Sequence, residues 1–118
     1  MLNVGVNQVV MVCEGNYGTI QRPGEPRERM IAAMREVMAL SALEGIPVTE
    51  ADLRYYTELL DTLDPEGMPS MRQDGLARRK SEVELFSGTV CRLAAKHGLA
   101  VPVNARLYRD ITEMESVY

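Results

Sequence analysis

Two residues twelve positions apart, Ser70 and Glu82, have the setting that best suits chemistry in this 118-residue chain. The patterns Ser70-x-x-Gln73 and Ser81-x-x-Glu84 both match the capping box, in which side chains satisfy the free N–H groups of a helix start. Because a helix N-terminus attracts anions, the Ser70 end could bind a carboxylate or a phosphate. If Glu84 completes the second box, Glu82 can point elsewhere, toward the same region. The simpler interpretation, a helix cap at Ser70 and a solvated acid at Glu82, stays open.

Two asparagines near the N-terminus, Asn3 and Asn7, are the other polar residues in an unusual setting. Their spacing of four places both amides on one face of a predicted buried helix, which is otherwise apolar. A buried amide without a partner costs about 1–3 kcal/mol, so both need hydrogen bonds. Two interpretations are open: the amides bond a neighbouring helix end, or they line a pocket and bind a polar ligand.

Composition and motifs exclude several classes of function. The net charge of −4 argues against a sequence-independent nucleic-acid surface. The sequence contains no apolar run of about 20 residues, which a membrane span would need. His97 is the only histidine, and no catalytic triad, metal cluster, phosphate loop or G-x-G-x-x-G pattern is present. The chain alone is therefore not expected to bind a dinucleotide in the usual way. Cys13 and Cys91 lie far apart and are predicted to be reduced, buried residues of a cytosolic protein.

The elements that must position these residues are predicted to be helices in one domain. Apolar residues recur at helical spacing, and glycine or proline signals separate the segments. No start signal precedes the first helical pattern, so we expect the chain to begin inside an element. An all-α fold of five or six helices is predicted: a first helix ending near 14–18, a helix at 26–44, one opened by Thr49 and Asp52, a short one from Ser70, a long one from Ser81 to His97, and a last one after Pro102.

A set of motifs resembles the C-terminal domain of the ketopantoate reductases (2-dehydropantoate 2-reductases). The resemblance implies a helical bundle like the C-terminal domain of 6-phosphogluconate dehydrogenase. It also implies that residues 1–118 are a substrate-binding domain, and that the N-terminal Rossmann domain for NADPH is absent from this chain. The motifs are Ser70-Met71-x-Gln73-Asp74, Arg79, Glu82, Gly88, His97-Gly98, Pro102-x-Asn104 and, at the start, Asn3-x-x-x-Asn7 with Tyr17-Gly18.

The resemblance also implies roles for individual residues. Asn3, Asn7 and Ser70 would bind substrate, with Ser70 and the backbone after it holding the carboxylate of the keto acid. Glu82 would contact the nicotinamide-ribose side of the cofactor. The lysine that acts as general acid in the family would precede Met1, so no catalytic residue is expected in this chain. Tyr17 stands where some relatives carry a substrate-binding asparagine.

Two hypotheses about function follow. In the first, the chain is part of a cytoplasmic, NADPH-dependent 2-keto acid reductase that reduces 2-dehydropantoate to pantoate in pantothenate biosynthesis, and is inactive alone. Its partners would be the keto acid, the N-terminal Rossmann domain and a second copy of the chain in a dimer, without nucleic acid or membrane. In the second hypothesis, the chain is a stand-alone helical dimerisation or interaction module without catalysis.

Overall fold

The computed structural model describes residues 2–118, with side chains from residue 4 onward. This part of the chain contains seven α-helices and one π-helical turn and no strand, so the predicted all-α fold is confirmed. Two more helical elements are present than the maximum of six predicted. The elements are α1 (Leu2–Cys13), α2 (Tyr17–Gln21), α3 (Glu25–Leu43), α4 (Glu50–Asp61), α5 (Ser70–Leu76), the π-helical turn (Glu84–Gly88), α6 (Thr89–His97) and α7 (Pro102–Glu115).

Helix α1 lies in the centre of the domain. It packs against α2, α3, α5, α7 and the π-helical turn, so nearly all of its faces are covered. Val9, Val10 and Met11 are fully buried, and Met30 and Met34 of α3 are buried against the same core. An apolar sequence on every side of a helix is stable only in such a setting, and the predicted buried first helix is confirmed.

The helix boundaries around α3 and α4 match the sequence signals. Helix α3 was expected at 26–44 and runs over Glu25–Leu43, followed by Gly45 with a positive φ of 77°. The predicted capping pair opens α4: the Asp52 N–H donates to the Thr49 hydroxyl at 3.3 Å, and the Thr49 N–H donates to the Asp52 carboxylate at 2.8 Å. These signals work because the bonds are local.

Helix α2 was not predicted. Its five residues are too few to show an apolar period, and the surrounding glycines and prolines favour a loop. A capping box nevertheless starts it: Thr19 N–H donates to the Asn16 side chain at 3.3 Å, and Asn16 N–H donates to the Thr19 hydroxyl at 3.2 Å. Gln21 then joins the helix to the end of α4 by donating to the Leu60 and Leu63 carbonyls.

The predicted capping box at Ser70 and Gln73 is wrong. Pro69 occupies the N-cap position, its side chain offers no cap, and Ser70 is the first residue of α5. The Gln73 amide instead donates to the Met68 carbonyl at 3.0 Å. Proline fixes its own φ near the value needed just before or at a helix start, so the helix begins one residue earlier than a serine cap would allow.

The predicted capping box at Ser81 and Glu84 is also wrong. Ser81 donates both its N–H, at 2.8 Å, and its hydroxyl to the Glu115 carboxylate at the end of α7. Glu84 accepts from the Tyr108 hydroxyl and lies 3.4 Å from an Arg92 nitrogen. A partner distant in sequence therefore takes the place of the local one. The long helix expected from Ser81 begins with the π-helical turn and becomes α-helical only at Thr89.

The caps of α4 and α5 give a matched stability prediction. Thr49→Ala should lower the free energy of unfolding by about 1 kcal/mol, because it removes a side-chain cap. Ser70→Ala should change it by less than about 0.5 kcal/mol, because Ser70 caps nothing. Urea unfolding of the two variants measures the difference. An equal loss in both variants would contradict the assignment of Pro69 as the cap.

The two cysteines are free, as expected, but the prediction that both are buried is wrong. Cys13 is exposed because α1 leaves the core at its last residue, and Cys91 is half-buried on α6. In the described part of the chain, no helix has the length and apolar character needed to cross a membrane. Among the same residues, no three His, Cys, Asp or Glu side chains are grouped to hold a metal ion.

Candidate functional site

A small cavity joins the start of α5 to the segment before the π-helical turn. Its volume is about 130 Å³, and both Ser70 and Glu82 line it. The structure therefore brings together the two residues with the most informative sequence setting, although neither predicted capping box forms. Their binding roles stay predictions. The full lining is Ser70, Met71, Asp74, Glu82 and Phe86.

The Ser70 hydroxyl is not used by its own helix. Since α5 has no side-chain cap, the hydroxyl remains exposed at the first position of the helix. The first N–H that closes the helix belongs to Gln73, which donates to the Pro69 carbonyl at 3.1 Å. The N–H groups before Gln73 have no partner within the helix, as at every helix start. A hydroxyl and unpaired N–H groups at one place suit the oxygens of an anion.

The Glu82 carboxylate differs from the other acid of the cavity, Asp74. Asp74 pairs with Arg79, whose two nitrogens lie 3.1 and 3.3 Å from one carboxylate oxygen. Glu82 is exposed, and its backbone carbonyl accepts from Leu85 and Phe86 at the beginning of the helical turn. Its position is thus fixed by the backbone while its side chain faces solvent in the cavity. An exposed carboxylate of this kind can accept hydrogen bonds from the hydroxyl groups of a ligand.

The volume of the cavity limits what the cavity can enclose. Pockets that enclose a drug-sized ligand measure roughly 300–1,000 Å³, and about 130 Å³ is well below that range. A dinucleotide cannot fit in such a space. At this cavity, the described residues can therefore supply at most one wall of a site for a ligand of that size.

The two described amide side chains of α1, Asn7 and Gln8, differ in burial. The side chain of Asn3 lies outside the described residues, and Asn7 is half-buried. The fully buried amide is Gln8, which donates to the Val4 carbonyl at 2.8 Å and accepts from the Ser87 N–H at 3.3 Å. Gln8 therefore joins α1 to the π-helical turn. Gln8 was not among the predicted site residues, although it is a third amide among valines, at the position after Asn7.

The π-helical turn carries a polar cluster on its outer side. The Tyr108 hydroxyl donates to the Glu84 carboxylate, and this hydrogen bond raises the pKa of Tyr108. Arg92 lies on the other side of Glu84, with one nitrogen 3.4 Å from its carboxylate. A Cβ atom on Gly88 would lie 2.7 Å from a Glu84 carboxylate oxygen, so the end of the Glu84 side chain would have to shift. Such turns occur frequently at functional sites, and this one begins two residues after Glu82.

Tyr17 packs at the surface of the core. Its N–H donates to the Gly67 carbonyl at 2.9 Å, and its ring would lie about 3.0 Å from a Cβ atom placed on Gly67. The neighbouring Gly18 N–H donates to the Pro65 carbonyl at 2.8 Å. The start of α2 is therefore held by the loop after α4. Tyr17 serves this packing, at a position where the family resemblance suggests a polar side chain.

The fold and the cavity together define the class of domain. It is an all-α domain that presents a hydroxyl and a carboxylate at one cavity and whose described residues include no dinucleotide-binding fold. The chain belongs to the family described as ketopantoate reductase PanE/ApbA C terminal, whose model matches residues 1–115.

Individual relatives agree with this assignment. A 2-dehydropantoate 2-reductase of Salmonella typhimurium is 39% identical over 87 residues, which cover 74% of this chain and 29% of the relative. The enzyme of the same name from Yersinia pestis is 33% identical over 98% of this chain and 38% of its own length. A solved structure of a dimeric ketopantoate reductase from Staphylococcus aureus has a TM-score of 0.91 at 20% identity, covering 98% of this chain and 40% of that one. The chain thus spans well under half the length of these relatives.

Proposed function

We propose that this chain is the substrate-side domain of an NADPH-dependent 2-keto acid reductase that converts 2-dehydropantoate to pantoate. Membership of the ketopantoate reductase C-terminal family supports the reaction class. The observation that carries the proposal is the shared cavity of Ser70 and Glu82, which offers groups suited to a keto-acid carboxylate and to a ribose hydroxyl. Its proposed partners are the keto acid, an N-terminal dinucleotide-binding domain and a second copy of the chain.

Each side chain of the site has a distinct role in this proposal. Ser70 and the free N–H groups after it bind the carboxylate of the keto acid, while Asn3 and Asn7 bind its other polar groups. Glu82 accepts a hydrogen bond from a ribose hydroxyl and so orders the cofactor against the substrate. When bound, the reduced nicotinamide supplies a hydride to the carbonyl carbon. The alkoxide that forms must be protonated by a general acid, and the lysine implied for this role lies outside the present sequence.

Substitutions at the cavity should separate substrate binding from cofactor binding. In a complete reductase that carries this chain, we expect Ser70→Ala to raise the KM for 2-dehydropantoate and Glu82→Ala to raise the KM for NADPH. Each should lower kcat/KM by roughly 10- to 100-fold, because each group orients one reactant. Steady-state oxidation of NADPH measures both constants. Glu58→Ala removes an exposed acid of α4, is the matched control and should leave them unchanged.

The same assay tests the proposal as a whole. Residues 1–118 by themselves should not oxidise NADPH, because the dinucleotide-binding domain and the lysine that the proposal requires are not among them. Turnover by the chain alone would contradict the proposed division of the site. Absence of turnover by the complete polypeptide with any branched 2-keto acid would contradict the proposed reaction.

A second candidate function is that of a helical dimerisation or interaction module without catalysis. Exposed apolar side chains favour it, since Leu76, Leu85 and Val117 are each more than half exposed. If the complete polypeptide reduces no 2-keto acid and the chain forms a stable dimer in sedimentation, these results would support the second candidate over the first.

A further inference from the structure

The connector at 77–83, which joins α5 to the π-helical turn, carries Glu82 but has no regular helix to hold it. Segments without regular hydrogen bonding are usually the most mobile parts of a domain. A residue that must orient a ligand needs its backbone fixed by other contacts. In this chain, the Glu82 carbonyl itself accepts from Leu85 and Phe86 at the start of the helical turn. On the side before Glu82, the connector is held by the end of α7 and the residues after it.

Glu115 holds the connector directly before Glu82. Its carboxylate accepts the Ser81 N–H at 2.8 Å and also the Ser81 hydroxyl. Glu115 is only 6% exposed, so its carboxylate relies on these hydrogen bonds rather than on water. Both hydrogen bonds come from Ser81, and the residue after Ser81 is Glu82.

A second anchor holds the other end of the connector. Arg78 donates to the Val117 carbonyl at 2.7 Å, and its guanidinium lies 5.5 Å from the centre of the Tyr118 ring. Arg78 has a positive φ of 56°, so the chain turns sharply at this point. The segment after α7 thus fixes the connector at Arg78, and Glu115 fixes it at Ser81.

Ser81 and Glu82 face different sides of the connector. Ser81 and Glu115 line a groove of about 390 Å³ beside α7, whereas Glu82 lines the smaller cavity with Ser70. Fastening Ser81 to α7 therefore presents Glu82 to the cavity.

We propose that Glu115 is a positioning residue for Glu82: by fastening Ser81 to α7, it sets the direction in which the Glu82 carboxylate meets the cofactor. This inference rests on the proposed function, in which Glu82 binds the cofactor. Glu115 itself touches neither substrate nor cofactor. Its effect is transmitted through one backbone unit, from Ser81 to Glu82.

Steady-state kinetics of a complete reductase that carries this chain tests the proposal. Glu115→Ala should raise the KM for NADPH about tenfold, as supporting residues of a site typically do, and change the KM for the keto acid much less. Glu115→Gln retains one acceptor oxygen and should restore part of the affinity. Glu113→Ala removes an exposed acid two residues earlier on α7 and is the control, with unchanged constants.

A double substitution separates positioning from general loss of structure. In the Glu82→Ala background, Glu115→Ala should cause no further rise in the KM for NADPH, because the carboxylate that it positions is absent. Additive effects of the two changes, or an equal rise in both Michaelis constants, would overturn the proposal. If Glu115→Ala does not fold, Ser81→Ala takes its place. The KM for NADPH should then rise by a smaller factor, and an unchanged KM for NADPH would overturn the proposal.

Failure of the proposed function would give a different result. If Glu82→Ala leaves the KM for NADPH unchanged, the assigned role of Glu82 is wrong, and the positioning role falls with it. If Glu82→Ala raises that KM but neither Glu115 variant does, only the positioning role is wrong. Amide hydrogen exchange in the chain alone gives an independent readout: the Ser81 N–H should exchange faster in Glu115→Ala and at the original rate in Glu113→Ala.

Discussion

Replacing Glu36 by alanine is expected to lower the free energy of unfolding of this chain by about 3 kcal/mol. Glu36 belongs to α3, but its carboxylate caps α7. It accepts the Val103 N–H at 2.9 Å and both the N–H and the side-chain amide of Asn104 at 2.8 Å. No side chain of α7 itself provides a cap. A negative charge at this helix start also interacts favourably with the helix dipole.

The cost is large because Asn104 is fully buried. Its side-chain oxygen already has no hydrogen-bond partner, and its NH₂ group keeps only the Ala33 carbonyl, at 3.1 Å, when Glu36 is removed. Two backbone N–H groups at the start of α7 lose their acceptor at the same time. Helix α7 carries Glu115 at its other end, so weaker docking of α7 should also loosen the connector before Glu82.

Urea unfolding of the chain measures this effect, with two variants for comparison. Glu36→Gln retains one acceptor oxygen but no charge, and should lose about half as much as the alanine variant. Glu28→Ala removes an exposed acid of the same helix and should stay within about 0.5 kcal/mol of the original chain. Equal stability of the Glu36 and Glu28 variants would show that the cap contributes nothing.

The parts of the fold that could be predicted from the sequence depend on local interactions. Helix α3 shows its apolar period over nineteen residues, Thr49 and Asp52 bond each other across one turn, and Gly98 ends α6 with a φ of 66°. Each of these signals lies within a few residues of the structure that it determines. For this reason the helix class, most boundaries and the buried first helix were correctly predicted.

The errors come from interactions between residues distant in sequence. Ser81 and Glu84 match the capping box, but Glu115 is 34 residues away from Ser81 and satisfies the same N–H group. Glu84 instead meets Tyr108, 24 residues away. A local pattern shows which bonds a segment can make, but the packing of α7 decides which bonds it makes. Gln8 was not predicted for the same reason, because its partner Ser87 is 79 residues away.

Only part of the candidate site could be predicted from the sequence. Ser70 and Glu82 were expected to face one region because of two adjacent helix starts, and they line one cavity although neither capping box exists. The short connector between them keeps the two residues close in any compact arrangement. The residues that hold this connector, Glu115 and Val117, gave no sequence signal, because an acid and a valine at a helix end are common. The binding roles of the cavity residues remain predictions.

Enlarging Gly5 is the other change expected to have a large effect, because Gly5 lies where α1 crosses α3. A Cβ atom at this position would lie 2.7 Å from the Met34 Cγ and 3.0 Å from the Met30 carbonyl oxygen. The Met34 Cγ is only one bond from Cβ and has little freedom to shift, and the Met30 carbonyl belongs to the backbone of α3. Gly5→Val should therefore push the two helices apart and lower the free energy of unfolding by about 3 kcal/mol or more.

Alanine at the same position should show two opposing effects. In a helix interior, alanine is favoured over glycine by about 1 kcal/mol. The clash with α3 should outweigh this gain, so Gly5→Ala is expected to be destabilising by about 1 kcal/mol. Gly75→Ala on α5 is the matched control: its new Cβ would meet only the end of the Met11 side chain and, at 3.5 Å, the Tyr118 hydroxyl. It should be less destabilising than Gly5→Ala in the same urea unfolding experiment.

The crossing at Gly5 also bears on the candidate site. Asn3 and Asn7 lie on the same helix, two residues before and two residues after Gly5, so a shift of α1 away from α3 moves both positions. In a complete reductase, Gly5→Ala should therefore raise the KM for the keto acid, whereas Gly75→Ala should not. If the KM for the keto acid rises in neither variant although Gly5→Ala loses stability as expected, the asparagines do not contribute to binding. A stable Gly5→Val variant would show that α1 and α3 do not approach as closely as this fold requires.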